Sequence, residues 1–244
     1  MLFFYRNPIL IAAAVIPAVF LLIKVYRADR LEPEPPLLLL SLVLYGIVAT
    51  GLASFTEQIG STVLDRILPQ NSLAYRAALY FVVVAFSEEG FKYLLLKMRT
   101  WRAPAFNCQF DGVVYAVFVS LGFALWENIG YVLRYGFQTA VLRAVTAVPG
   151  HACFGVFMGA WYGPAKRYCN MGRAGASQGC RLMAFLLPAF LHGSYDFLAS
   201  VESADYQWIF PAFVAVLFLV AFLVVRNMSR HDRYITNGNT YYYW

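Results

Sequence analysis

The sequence predicts an all-α protein, a polytopic bundle of about seven transmembrane helices. Hydrophobic residues make up 61% of the 244 residues, against roughly 45–50% in soluble proteins, and charged residues make up only 13%. The mean hydropathy is +0.60. The apolar residues also occur in runs of about 20, the length that a bilayer core requires. A soluble globule, a disordered chain and a fibrous repeat are excluded, since none of them could carry so much apolar surface.

The spans follow from these runs, taken in order. The first has one early arginine and no clear cleavage site, which predicts an uncleaved signal anchor. The fifth is interrupted by Arg143 and then by Pro149 and Gly150, so two interpretations stand: a broken helix, or an interfacial piece followed by a span that starts near Ala144. The predicted spans are residues 8–25, 36–54, 74–97, 110–133, a fifth within 137–163, 181–200 and 209–225.

Two smaller features complete the layout. Residues 55–68 place Phe55, Ile59, Val63 and Ile67 four apart, which predicts a short amphipathic helix on the outer surface. The chain is therefore predicted to be one transmembrane domain. Its parts are two N-terminal spans with the amphipathic helix (1–74), a central core (75–200), and a last span with a cytosolic tail (201–244).

Charge sets the orientation. The formal net charge is +6, and connections rich in Lys and Arg alternate with poorer ones. The positive-inside rule then places the N-terminus outside and the C-terminus in the cytosol. We attribute the basic excess to topology and to lipid headgroups, and expect no nucleic-acid partner. The richer connections carry Lys24, Arg27 and Arg30; Lys97, Arg99 and Arg102; Lys166, Arg167, Arg173 and Arg181; and Arg226, Arg230 and Arg233.

The cysteines indicate neither a disulfide framework nor a zinc ribbon. The chain has four of them, and no two stand in a CxxC pair. They are Cys108, Cys153, Cys169 and Cys180.

Ionisable side chains lie inside the predicted spans, where a charge costs at least about 2.5–3.5 kcal/mol. The third span contains Glu88 and Glu89, and Lys92 follows at the spacing that lets it pair with either on a helix. One lysine cannot neutralise two carboxylates, so the second carboxylate must hold a proton or meet a cation. A buried ion pair that locks helices together is the alternative interpretation.

The next spans add further polar groups. The fourth carries Glu127, which alone would fit a capped carboxylate near the outer interface. The fifth carries His151 on a face with glycines at intervals of four, which alone would fit close helix packing. The sixth carries His192 and Asp196, four apart and hence on one face.

Together these groups predict a metal site. Neutral imidazole and carboxylate are ligands that zinc accepts, and a catalytic zinc keeps one position for water. A further carboxylate beside that water would serve as general base. The pattern H-E-x-x-H is absent, so the site must be assembled from several helices.

The order of these motifs resembles the PrsW family, bacterial intramembrane proteases related to the type II CAAX prenyl proteases. The resemblance covers roughly residues 75–200. It rests on Glu88-Glu89-x-x-Lys92, on Phe110-Asp111-Gly112-Val113-Val114-Tyr115 leading to Glu127-Asn128, on His151 with Gly155 and Gly159, and on Leu191-His192.

The resemblance implies a membrane hydrolase of the bacterial cytoplasmic membrane with its site inside the bilayer. It implies that Glu88 is the base and Glu89 its helper, while His151 and His192 match the histidine motifs. Glu127 stands where the CAAX relatives have a ligand or catalytic histidine, so the resemblance implies His151, His192 and Glu127 as the metal ligands. Substrates would be membrane-anchored proteins such as anti-sigma factors, and the water would be activated by zinc or by glutamate alone.

One position departs from the family. Members usually have Asn four residues after the last histidine, where this chain has Asp196. An ionised Asp only accepts hydrogen bonds, so an oxyanion-stabilising role is not expected of it; Asp196 would either hold a proton or orient His192. The oxyanion would be stabilised by the metal or by a donor such as Asn128. Lys92 lies beside the glutamates.

The predicted topology also gives a depth. Glu127, His151 and His192 lie about six to eight residues from the outer ends of their spans, or roughly 9–12 Å below the outer surface. The site is therefore expected in the outer half of the bilayer. Two other functions remain open from the sequence: an ion-coupled transporter, because intramembrane acids also build proton relays, and a catalytically inactive scaffold.

Overall fold

The computed structural model describes residues 8–201 and 208–235, in which α-helices and one π-helix pack as a bundle and no β-strand occurs. This confirms the predicted fold class. The elements in chain order are α1 (Pro8–Tyr26), α2 (Pro36–Ile67), α3 (Leu73–Ala77), the π segment (Ala78–Val84), α4 (Ala85–Thr100), α5 (Asp111–Tyr135), α6 (Phe137–Val145), α7 (Ala147–Asn170), α8 (Ala174–Ala199) and α9 (Ile209–Arg230).

Six helical stretches in the described residues are long and apolar enough to cross a membrane: α1, α2, α5, α6 with α7, α8 and α9. The remaining predicted span is the unbroken succession of α3, the π segment and α4. It is less apolar because α4, at 16 residues, carries Glu88, Glu89 and Lys92.

Two predicted elements differ in the structure. Residues 55–68 are not a separate amphipathic helix, because α2 runs as one helix of 32 residues to Ile67. The stripe from Phe55 to Ile67 faces outward, as the exposure of both residues shows. The fifth predicted span is interrupted at Thr146, between α6 and α7, and not at Pro149. Of the two interpretations, the division into a short piece and a span that starts near Ala144 therefore agrees with the structure, since α7 starts at Ala147. Pro149 lies in the first turn of α7, where a helix tolerates proline.

Helix α5 forms the centre of the bundle and packs closely on α7 and α2. Glycines permit this approach. A Cβ on Gly159 of α7 would lie 2.3 Å from Val113 Cα, and one on Gly122 of α5 would lie 2.3 Å from the Val43 carbonyl oxygen in α2. No side chain fits at either contact, so the helix backbones meet directly.

The bundle has two ends with different contents. The basic end carries residues 27–35, 101–110, 171–173 and 231–235, which touch one another: the Gln109 N–H donates to the Arg233 carbonyl at 3.1 Å, for example. The distal end carries residues 68–72 and the break between α5 and α7. The terminal part of the predicted tail, residues 236–244, lies outside the described residues.

Candidate functional site

Helix α4 brings three charged side chains together in the protein interior. The Lys92 Nζ donates to Glu89 Oε1 at 2.7 Å and to Glu88 Oε2 at 3.1 Å. All three residues are buried, and Lys92 is fully so. The ammonium also lies 3.9 Å from the centroid of the Phe123 ring, which adds a cation–π contact. The lysine thus pairs with both glutamates at once.

The π segment packs against α8 and so places α8 next to α4. π-Helical turns are rare and often occur at functional sites, and this one ends directly before α4. Phe81 of the segment lies against α8 at Gly193, where a Cβ would come within 2.5 Å of the phenylalanine ring. The neighbouring His192 is thereby set against α4, with its Nδ1 2.9 Å from Glu89 Oε1.

His151 of α7 completes the group and has a defined tautomer. Its Nδ1 lies 3.1 Å from Lys92 Nζ, and an ammonium has no acceptor, so Nδ1 must accept that hydrogen bond. The proton is then on Nε2, which donates to Glu127 Oε2 at 3.0 Å. The same Glu127 oxygen accepts from Arg143 at 2.7 Å.

The histidines are held by stacking as well as by hydrogen bonds. The rings of His151 and His192 lie nearly perpendicular with centroids 5.3 Å apart. Phe154 stacks on His192 at 4.7 Å. On its other side, His192 Nε2 lies 3.4 Å from Asp196 Oδ2, as the spacing of four predicts.

The donor set fits a metal ion. Glu88, Glu89, His151 and His192 each offer a ligand atom, and these four atoms lie within 4.8 Å of one another. Glu89 Oε2 is buried and has no hydrogen-bond partner in the described part of the chain. Two imidazoles and two carboxylates are ligands that zinc accepts. We refer to these four residues with Lys92 as the Glu–His cluster.

A cavity of about 230 Å³ opens beside the cluster toward the distal end. Glu88 lines it, whereas Glu89 does not. Its lining consists of Glu57, Tyr80, Val84, Glu88, Glu127, Tyr131, Arg143, Ala147, His151, Phe154, His192, Tyr195 and Asp196.

Most of the predicted site residues meet here, with two differences. Glu127 is not in the metal-fitting group, because it pairs with Arg143 and His151. Asn128 does not line the cavity. Its amide donates to the Ala14 carbonyl at 2.8 Å, and its oxygen accepts from Arg143 at 3.0 Å, so the expected role of an oxyanion donor has no geometric support.

Sequence reasoning missed two members of the site. Glu57 of α2 lines the cavity. The predicted second span ended at residue 54, so Glu57 was assigned to a surface helix and not to a span. The outward stripe of apolar residues on α2 could have revealed it, since Glu57 lies off that stripe. Arg143 was interpreted only as an interruption of a span, yet a cation inside a membrane protein usually has a carboxylate partner.

Comparisons with known proteins identify relatives of the chain. A protein family described as "PrsW family intramembrane metalloprotease" has a sequence model that matches residues 34–225. The chain is 36% identical to Protease PrsW of Geobacillus kaustophilus over 78% of this chain and 79% of that protein. It is 32% identical to Protease PrsW of Oceanobacillus iheyensis, over 91% of this chain and 97% of that protein. Protease PrsW of Bacillus subtilis is 30% identical, over 86% and 90%. No solved structure matches.

Proposed function

The chain belongs to the PrsW family of intramembrane metalloproteases, and from this premise we propose that it hydrolyses peptide bonds of membrane-anchored proteins at the Glu–His cluster. The observation that carries the proposal is the position of Glu88. Of the paired glutamates it is the one that faces the cavity. Lys92, which does not line the cavity, donates to its Oε2 and holds the carboxylate in position. A general base needs both access to water and a fixed position.

Each residue then has a role. Glu88 Oε2 is held by Lys92, so Glu88 Oε1 accepts the proton of the attacking water and later returns it to the leaving amine. Glu89, His151 and His192 would hold the ion, which we propose to be zinc. When bound, zinc supplies Lewis-acid polarisation of the scissile carbonyl. Lys92 donates to both glutamates and so fixes their carboxylates in place.

Groups around the cluster position it. Glu127 accepts from His151 Nε2, so the ring's lone pair is on Nδ1, the nitrogen that would bind an ion in place of Lys92. Arg143 lines the cavity and uses its Nε and one Nη2 hydrogen for Asn128 and Glu127. Guanidinium has five N–H groups, and we assign a remaining one, in place of Asn128, to the developing oxyanion. Asp196 holds His192 from the far side.

The position of Lys92 favours a second version of the mechanism. Its Nζ, 3.1 Å from His151 Nδ1, occupies the lone pair that a metal would need, and it already neutralises charge at both glutamates. In a glutamate-type protease Glu88 would activate water without an ion. Elemental analysis of the protein purified without chelator separates the versions. The metal version predicts about one zinc per chain, lost in His151→Ala, and absence of zinc in active wild type leaves the glutamate version.

Substrates reach the cavity from the bilayer in this proposal. A second cavity of about 420 Å³ lies between α2 and α5 and shares Glu127 and Tyr131 with the first. Gly51 and Gly130 both line it, and each has open space around its Cβ position. We propose that a transmembrane or juxtamembrane segment enters there, with anti-sigma factors as one substrate class.

The proposed orientation places the basic end in the cytosol of a bacterium, with the protein in the cytoplasmic membrane and its N-terminus outside. His151 lies four residues after the start of α7, Glu127 eight before the end of α5 and His192 seven before the end of α8. The cluster then lies about 6–12 Å below the distal end, in the outer half of the bilayer. Residues 75–200 are proposed as the catalytic core, to which α2 adds Glu57.

The test is a search for new protein N-termini in membranes. Wild type, Glu88→Gln and Asp65→Asn would be expressed in a bacterial host, and N-terminal peptides of its membrane proteins would be compared by mass spectrometry. Asp65 is exposed and remote from the cavity lining, so it controls for loss of a carboxylate. New N-termini should appear with wild type and Asp65→Asn and vanish with Glu88→Gln at equal expression. Equal cleavage by Glu88→Gln would remove the base assignment.

A further inference from the structure

A second group of buried acidic side chains lies at the basic end, about 24 Å along α5 from Glu127. Asp29 and Glu34 come from the connection between α1 and α2, Asp111 is the first residue of α5, and Asp232 follows α9. Oxygens of Asp29, Glu34 and Asp111 lie within 4.8 Å of one another, and oxygens of Asp111 and Asp232 form a second such group with the Cys108 sulfur. We call these four residues the basic-end cluster.

Several carboxylate oxygens of this cluster have no hydrogen-bond partner in the described part of the chain. Asp111 Oδ2 accepts the backbone N–H groups of Asn107 and Cys108, at 3.0 and 2.7 Å. Glu34 Oε2 accepts the Tyr115 hydroxyl. Glu34 is 2% exposed and Asp111 0%, so an unused oxygen on either is costly. At this end of the bundle, the buried oxygens with no partner among the described residues are Asp29 Oδ1 and Oδ2, Glu34 Oε1, Asn107 Oδ1, Asp111 Oδ1 and Asp232 Oδ2.

Basic side chains compensate the cluster only weakly. Within residues 8–201 and 208–235, none of its four carboxylates forms an ion pair, whereas the Glu–His cluster accounts for several. The Arg233 side chain acts on Asp232 through its charge only. Burial raises the pKa of Asp29 to about 6 and that of Glu34 to about 7. A buried, unpaired carboxylate is uncommon unless it coordinates a metal or takes up a proton.

We propose that Asp29, Glu34 and Asp111 bind a hard divalent cation, Mg²⁺ or Ca²⁺, beside Asp232. The free donors are all oxygens, the ligands that these two ions prefer. The ion would link the α1–α2 connection to the start of α5, because both would supply ligands to it. It would also neutralise the acidic groups around the segment that follows α9. It is separate from any ion held by the Glu–His cluster at the other end of α5.

The test is thermal unfolding of the purified chain in detergent, followed by tryptophan fluorescence during titration with MgCl₂ or CaCl₂ at neutral pH. Binding to the folded state alone raises the melting temperature with ligand concentration. Wild type should show such a rise, and Asp29→Asn should need at least about tenfold more ion for the same rise. Asp29 is half-buried, so this variant removes a ligand with little risk to folding; Glu34→Gln repeats the test at a buried ligand.

Two controls locate the effect. Glu32→Gln changes a carboxylate in the same connection whose Oε1 already accepts from Asn107, and it should keep the full rise. His151→Ala should also keep it, which separates this ion from one at the Glu–His cluster. If the melting temperature of wild type does not change with either ion, the proposal is overturned. The carboxylates of the cluster would then share a proton instead. An equal rise in wild type, Asp29→Asn and Glu34→Gln would also overturn it, because the ion would then bind elsewhere.

Discussion

The Glu–His cluster and the basic-end cluster both bury carboxylates, yet only the first contains its own cation. Lys92 lies between Glu88 and Glu89, and nearby Arg143 pairs with Glu127. The basic-end cluster has no such partner in the described part of the chain, although many Lys and Arg residues surround it on the exposed face. The two clusters thus solve the same problem, buried negative charge, in different ways.

The difference follows from what each site must do. An internal ammonium fixes two glutamates in place and leaves one of them facing the cavity, where it can act on water. At the basic end the unused oxygens point to an ion from solution, since the local structure satisfies at most one oxygen of each carboxylate. A buried charge that loses its partner is strongly destabilising. The stability of the first cluster should therefore depend on Lys92, and that of the second on the concentration of divalent ions in solution.

Removal of Lys92 would make the first cluster resemble the second, and we expect the largest effect here. Lys92→Met leaves two buried carboxylates without their cation and should lower the free energy of unfolding by about 3–5 kcal/mol, besides abolishing cleavage. Unfolding in detergent measures this. Lys97→Met, on the same helix but partly exposed, is the matched control and should change stability by about 0.5 kcal/mol or less. Equal stability of the two variants would show that Lys92 does not compensate the glutamates.

The second prediction asks whether the clusters are joined through α5. Gly159→Ala places a Cβ 2.3 Å from Val113 Cα and must push α7 from α5, which carries Asp111 and Glu127 at its two ends. We expect a loss of about 1–3 kcal/mol in stability, together with weaker cleavage and weaker divalent-ion stabilisation. Gly130→Ala on α5 meets nothing within 4 Å and should be neutral or stabilising. A Gly159→Ala protein that loses only one of the two functions would show that the ends are independent.

The sequence predicted the bundle and the Glu–His cluster because both depend on strong local signals. Apolar runs of membrane length indicate spans, and charges within them are rare enough to be informative. The motif order also predicted the PrsW family, which the comparisons confirm. Partners set by tertiary packing were harder. The Asn128 amide donates to the carbonyl of Ala14, which lies in α1, far away in the sequence. The residues next to Asn128 in the sequence give no sign of this contact.

The basic-end cluster shows the same limit more clearly. Asp29, Glu34 and Asp232 stand in connections, where acidic residues are ordinary, and their spacing carries no pattern. Asp111 was noticed only as part of a motif. The group exists because alternate connections of the bundle return to one end, so only a structure could bring it together.

The third prediction sharpens the account of the Glu–His cluster. Glu127→Gln weakens the acceptor of His151 Nε2 and breaks the pair with Arg143, so it should lower kcat about 10- to 100-fold, as loss of a group behind a ligand does. KM should change little. Stability should fall by about 1–3 kcal/mol, because the side chains of Glu127 and Arg143 are only 20% and 14% exposed and Arg143 loses its charged partner. A change confined to KM would instead place Glu127 in contact with substrate, since it lines both cavities.

The smallest effect is expected at Asp196, where the resemblance described above predicts Asn. Asp196→Asn keeps an acceptor for His192 Nε2, which lies 3.4 Å from the carboxylate, and the side chain is 25% exposed. Such a contact is worth about 0.2–1 kcal/mol, so cleavage should stay within about fivefold of wild type. The substitution also removes one of five carboxylates around a site with two permanent cations, Lys92 and Arg143, which favours tolerance. A loss beyond tenfold at unchanged stability would mean that the charge of Asp196, and not only its oxygen, is required to hold His192 protonated at Nε2.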